Sequence, residues 1–103
     1  MNISLTLCRV LTNLDSAKVS ASAFAFVANI PTSTLTAAFR GRLTLKSEAE
    51  AQLLDLSVRT AEVVEAIRPF IIERGDWTLL KKLVESEKSA DVIRQSVYEL
   101  FNE

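Results

Sequence analysis

The chain of 103 residues contains no histidine and one cysteine, Cys8. These two shortages remove most of the side chains from which active sites and metal centres are built. A zinc site assembled from Cys and His has no ligand set here. A hydroxyl or thiol nucleophile has no imidazole to take its proton. A lone cysteine forms no intramolecular disulfide, which fits a reducing, cytoplasmic setting. Glycine and proline number two each, against about 7 and about 5 in a chain of average usage. With so few breakers and no sustained two-residue alternation, the expected fold class is all-α. No run of about 18 apolar residues occurs, so neither a transmembrane helix nor a membrane partner is expected. The opening MNISLTLCRV has no basic stretch before its apolar residues and lacks the pattern of a secretion signal. There is no Gly-rich phosphate loop. Glu48 with Glu50, and Glu62 with Glu65, have the spacing of helix caps or solvated helix faces, not of an acid/base couple. No catalytic residue, metal ligand or cofactor is assigned, and the chain is not read as an enzyme.

What is present is a globular composition, 49% hydrophobic and 24% charged, of a length that suits one domain with a modest core. The net charge of −1 conceals a segregation. Residues 1–46 hold five cations (Arg9, Lys18, Arg40, Arg42, Lys46) against Asp15, a net of +4. Residues 47–103 hold seven cations against twelve acids, a net of −5. A basic patch on an otherwise acidic chain is the footprint expected of phosphate contact.

The organising stretch is Ser20 to Gly41, SASAFAFVANIPTSTLTAAFRG. Phe24, Ala25 and Ala28 share a helical face. Asn29 tolerates the left-handed conformation that ends a helix at a sharp turn. Pro31 drives Ile30 out of helical conformation and suits the start of the next helix. That second helix, Thr32 to Arg40, puts Leu35, Ala38 and Phe39 on one side, and Gly41 stops it. Thr32, Ser33, Thr34, Thr36, Ala37 and Arg40 stand between the apolar positions as a polar, mostly uncharged face.

This stretch resembles the helix-turn-helix of the lambda-repressor and Cro-like (XRE-type) DNA-binding domains. Ser20 stands at the polar helix start, Phe24-Ala25 for the Leu-Ala pair and Ala28 for the later Ala. Asn29-Ile30 stands for the Gly-Val turn, Thr34-Leu35 for Thr-Leu, and Gly41 for the closing Gly. The sequence departs from the pattern at Ala21, where many relatives carry a phosphate-binding Gln, and its recognition face has no Gln or Asn. The resemblance implies an all-α, lambda-repressor-like helix-turn-helix domain with additional C-terminal helices. It places Thr32, Ser33 and Ala37 at base-facing positions, with Thr34 and Thr36 flanking them. Arg40, Arg42, Lys46 and Lys18 are the implied phosphate contacts. Threonine methyls and Ala37 would meet thymine methyls, and DNA shape would supply part of the specificity.

On either side of the motif the periodicity continues. Ile3, Leu7, Val10, Leu11 and Leu14 mark a first helix over residues 2–14, with Cys8 beside that face as a small packing residue. Asn13, Asp15 and Ser16 suit a turn. After Gly41, Leu43 and Leu45 are expected to tuck into the core while Arg42 and Lys46 reach outward. Ser47-Glu48-Ala49-Glu50 is a capping box, with Ser47 and Glu50 as reciprocal partners. The helix it starts carries Leu53, Leu56, Val63, Val64 and Ile67, broadened by Leu54 and Val58, and Pro69 is expected to end it. Within it Arg59 and Glu62 have ion-pair spacing. The apolar run Phe70-Ile71-Ile72 follows. Asp76 is placed to cap a helix over residues 77–87, with Trp77, Leu80, Leu83 and Val84 on one face. Ser89 or Asp91 starts a last helix carrying Val92, Ile93, Val97, Leu100 and Phe101, with Tyr98 beside them.

The expected organisation is one domain over residues 1–103, a helix-turn-helix part over 1–46 and C-terminal helices over 47–103. The large apolar residues of the second half suggest a homodimer through residues 60–103, since helix-turn-helix proteins pair on two-fold sites. The functional expectation is a sequence-specific transcriptional repressor of phage or mobile-element type, bound to double-stranded operator or promoter DNA. The competing expectation is a helical protein-binding module, such as an antitoxin or a phage-encoded inhibitor of a host protein, with the motif as scaffold and a protein as its partner.

Overall fold

The computed structural model describes residues 3–71 and 77–101. Among these residues the secondary structure is entirely helical: α1 Leu5–Ala17, α2 Ala21–Ala28, α3 Thr32–Phe39, α4 Ser47–Ile71, α5 Trp77–Glu85 and α6 Ala90–Phe101. One cluster of buried apolar side chains draws on all six: Leu14, Phe24, Leu35, Val63, Leu80 and Ile93 each belong to it. The long α4 is the spine. It packs against α1 on one side and against α5 and α6 further along, while α5 also packs on α2. The chain's two halves are therefore interleaved, not set end to end.

The first three helices share one closing device. Lys18 ends α1 in left-handed conformation at φ 59°, and the Lys18 and Val19 N–H groups donate to the Asp15 and Leu14 carbonyls. Asn29 does the same for α2 at φ 59°, with the Asn29 and Ile30 N–H groups donating to Phe26 and Ala25. At the end of α3 Gly41 takes φ 74°, and Gly41 and Arg42 donate to Ala38 and Ala37. This paired bonding satisfies carbonyls that a helix end leaves open.

Several expectations are corrected. The first helix begins at the N-cap Ser4, whose hydroxyl accepts from the Leu7 N–H, and it runs on through Asn13, Asp15 and Ser16 to Ala17. Local turn preference loses there to burial of Leu14 and Ala17. Cys8 is exposed, not packed. The capping box does not form. Ser47 is already the first residue of α4, the Glu50 N–H donates to the Lys46 carbonyl, and the Glu50 carboxylate accepts from the Ser4 hydroxyl at 2.8 Å. The tertiary partner displaces the local one. Leu43 stays exposed, and of the connecting leucines only Leu45 packs against the core. Val58 is exposed as well. α4 continues past Pro69 to Ile71; proline forfeits one backbone bond, and in a last turn that loss is local.

Arg59 does not pair with Glu62. Its guanidinium donates to the Val84 and Leu83 carbonyls at 3.3 and 3.1 Å, closing the C-terminus of α5. That helix ends at Glu85, two residues short of the expected 87. For α6, Ser89 is the cap in preference to Asp91: its hydroxyl accepts from the Val92 N–H at 3.2 Å. The Asp76 cap, the Ile72 part of the apolar run, and the side chains of Phe70, Ile71, Val97, Leu100 and Phe101 lie outside the described residues.

Candidate nucleic-acid interface

The corner between α2 and α3 has the chemistry of its residues. The Ser20 hydroxyl caps α2 by accepting from the Ala23 N–H at 3.1 Å. Phe24 and Ala25, at 0% and 1% exposure, anchor α2 in the core. The left-handed Asn29 reverses the chain, and Pro31 (φ −61°, ψ 138°) stands as the N-cap of α3, one position earlier than its first helical residue. The Thr34 and Leu35 N–H groups donate to the Pro31 carbonyl. No side chain caps α3. Its seat comes instead from Leu35 and Ala38, each 1% exposed.

Fixing those two residues inward determines what α3 presents outward. At 100° per residue, Ser33 and Arg40 point directly away from the buried pair, with Thr36 and Ala37 to either side and Thr32 at the margin. Thr32, Ser33 and Arg40 are exposed, and Thr36 and Ala37 are half-buried. Thr34 is not on this face: it turns inward beside Leu35 and lines a cleft against α4. Arg42 and Lys46 are exposed on the connection after α3, and Lys18 is exposed at the end of α1. Between Asp15 and Glu48 the chain carries no acidic residue at all. The outer side of α3 and the connection after it are therefore free of internal carboxylates, so their positive field is offset only from neighbouring elements.

Two exposed hydroxyls were not singled out from the sequence. Ser22 lies in the first turn of α2, and Thr44 stands between Arg42 and Lys46. The alternation of Arg42, Thr44 and Lys46 with two leucines was the signal for the second. For the first, the Ser-x-Ser spacing at the helix start was the only sign. The Lys81 ammonium lies 5.0 Å from the centre of the Phe26 ring. This places one cation of α5 against the exposed part of α2 by a cation–π contact.

In the second half, Val63, Val64 and Ile67 are spent in the chain's own core, at 0%, 1% and 2% exposure. They are unavailable to a second copy. Among the described residues, the large apolar side chains left open beyond α3 are Leu43, Val58, Val92 and Tyr98. Among the described residues, no group of His, Cys, Asp and Glu side chains is placed to hold a metal ion, and no helix is long and apolar enough to cross a membrane. The chain matches no family model, no curated protein and no solved structure.

Proposed function

We propose that this chain is a sequence-specific, double-stranded DNA-binding transcriptional regulator of the lambda-repressor-like helix-turn-helix kind, acting as a homodimer. The observation that carries the reading is the outward face of α3. Ser33, Thr36, Ala37 and Arg40 point away from the core, next to exposed Arg42 and Lys46, in a stretch without a single acid. A major groove admits one helix, and base edges are read by short polar and methyl-bearing side chains as well as by longer ones. In this reading Ser33 and Ala37 meet base edges, Thr32 and Thr36 reach bases or phosphates, and Arg40, Arg42 and Lys46 neutralise phosphates. Lys18 adds a further phosphate contact, and Thr34 belongs to the internal packing of the motif. Repression is steric: two recognition helices in successive major grooves cover a promoter and exclude polymerase. A phage or mobile element is the setting that the resemblance suggests.

Fluorescence anisotropy tests this directly. The chain is titrated into a labelled duplex from upstream of its own gene and into a scrambled duplex, at two salt concentrations. The expected result is tight, salt-weakened binding to the upstream duplex with two chains per site, and much weaker binding to the scramble. Absence of binding to both at low salt overturns the reading. A second reading, a protein-binding module, draws on the exposure of Val58, Val92 and Tyr98, at 45%, 49% and 54%. It predicts that substitutions at these positions, not at Arg40 or Arg42, abolish partner capture.

A further inference from the structure

Behind α3, on the side opposite its outward face, lies a cleft of about 250 Å³ between the helix-turn-helix corner and the first turns of α4. Leu35 and Leu53, at 1% and 9% exposure, form its closed floor. Ile30, Leu45 and Leu56 are half-buried around it. Only two lining side chains are polar, Thr34 and Gln52. Neither the Thr34 hydroxyl nor the Gln52 carboxamide hydrogen-bonds another described residue.

The cleft is a surface groove that opens to solvent beside the exposed Gln52 and closes on the buried leucine pair. Water in it faces mostly apolar side chains that offer no hydrogen bond. An apolar cavity of roughly 150 Å³ accepts a benzene ring, so this larger cleft has room for one substituted ring. Small-molecule sites combine an apolar wall with a few polar groups that fix orientation. A hydroxyl and a carboxamide, each able both to donate and to accept, complement a single hydroxyl group.

We propose that this cleft is a binding site for a small phenol-type molecule, its ring against Ile30, Leu45 and Leu56 above the Leu35 and Leu53 floor and its hydroxyl hydrogen-bonded to Thr34 and Gln52. Such a ligand touches the turn, α3 and α4 at once. It therefore ties the position of α3 to that of α4, and the site stands whether or not α3 reads DNA.

The test is a titration of p-cresol into the full chain, followed by methyl and amide NMR, with toluene as the comparison. The expected result is a saturable shift of the Leu35 and Leu53 methyls with a dissociation constant at or below about 1 mM. The methyls of Leu14 and Val84, which do not line the cleft, stay in place. Thr34→Val and Gln52→Leu should each lower the affinity for p-cresol relative to toluene by about fivefold, the effect of one lost hydrogen bond. Ala49, a small residue of the lining, gives the blocking variant: Ala49→Leu should abolish binding of both compounds while amide spectra away from the cleft are unchanged. Absence of a saturable shift at Leu35 and Leu53 overturns the site. An unchanged p-cresol to toluene ratio in both polar variants overturns the phenol class. If Ala49→Leu does not fold, the polar variants decide alone. No DNA is present in the titration, so its failure is separate from failure of the DNA-binding reading.

Discussion

The Arg68 guanidinium donates to the Ala17 carbonyl at 2.9 Å, so a side chain of α4 closes the C-terminus of α1 across 51 positions of sequence. The same guanidinium also meets the Glu65 carboxylate at 3.2 Å. Arg59, more than two turns earlier, serves the end of α5 in the same way. A cation at a helix C-terminus meets both open carbonyls and the negative end of the helix dipole.

The two Arg68 contacts separate by mutation. The partner Glu65 side chain is 63% exposed, and pairs so open to water contribute little. Glu65→Gln should change stability by less than about 0.5 kcal/mol. Arg68→Met, which keeps the apolar stem, should cost about 1 kcal/mol by leaving the α1 carbonyl without its protein donor. Urea unfolding of the two variants reads the difference. Equal losses for both would show that the ion pair, not the cap, is the stabilising contact.

Thr60 makes the opposite case. It is 0% exposed and its hydroxyl oxygen has no hydrogen-bond partner among the described residues. One turn away, the equally buried Ser57 is fully employed: it donates to the Leu54 carbonyl at 2.7 Å and accepts from the Asn13 amide at 3.0 Å. A buried polar group without a partner carries its desolvation cost uncompensated. Thr60→Val, which keeps the shape, should stabilise the fold by about 1 kcal/mol, raising the melting temperature by roughly 4–8 °C. Ser57→Ala should destabilise by about 1–2 kcal/mol, because the Asn13 amide loses its acceptor. Calorimetry of both variants checks the pair, and a loss of stability in Thr60→Val would refute the assignment of Thr60 as unsatisfied.

The all-helical class was legible because its signals are local: sparse breakers and apolar residues at helical spacing. The α2–α3 corner was legible for the same reason, since Asn29 and Pro31 act on their own backbone. Gly41 after α3 and Ser89 before α6 were legible too, but the end of α1 was not. Lys18 ends α1, and lysine carries no turn signal; what selects it is burial of Val19 and Leu14 on the two sides of the turn. Asn13 has the chemistry of a turn residue and Ser57 carries no sequence signal of its own, because sequence does not reveal which polar residue meets another 44 positions away. Glu50 and Arg59 followed the same pattern, each leaving a plausible local partner for a distant one. In the candidate interface the outward residues followed from the placement of Leu35 and Ala38. Thr34 alone turned inward, as its position one residue from Leu35 makes possible once the buried arc is known.

The left-handed residues give a prediction that separates folding from function. Lys18 and Asn29 hold φ near 59°, a conformation that costs a residue with a Cβ about 1–2 kcal/mol and glycine little. Lys18→Gly should stabilise the chain by about 0.5–1 kcal/mol, and Asn29→Ala should destabilise it by a similar amount. If Lys18 contacts phosphate, the more stable Lys18→Gly protein should bind DNA less tightly. Thermal unfolding and anisotropy on the same sample read both quantities. Unchanged DNA affinity would remove Lys18 from the interface and leave its backbone role intact.

Arg40 and Arg42 provide the sharpest test of the interface. Both are exposed and flank the closing Gly41, so truncating either removes charge without opening the core. A phosphate contact contributes to every sequence equally, through release of counterions. Arg40→Ala and Arg42→Ala should therefore weaken binding to upstream and scrambled duplexes by similar factors, and each should reduce the slope of log affinity against log salt by about 1. Lys88→Ala, an exposed cation in the acidic half, serves as the control and should leave the slope alone. Ser33 differs in kind, because it stands at the centre of the outward face. Ser33→Ala should alter the ratio between upstream and scrambled duplexes while keeping the salt slope, as expected of a residue that meets base edges. A salt slope that falls equally in Lys88→Ala would mean that net charge alone governs binding, and would dissolve the assignment of a defined face on α3.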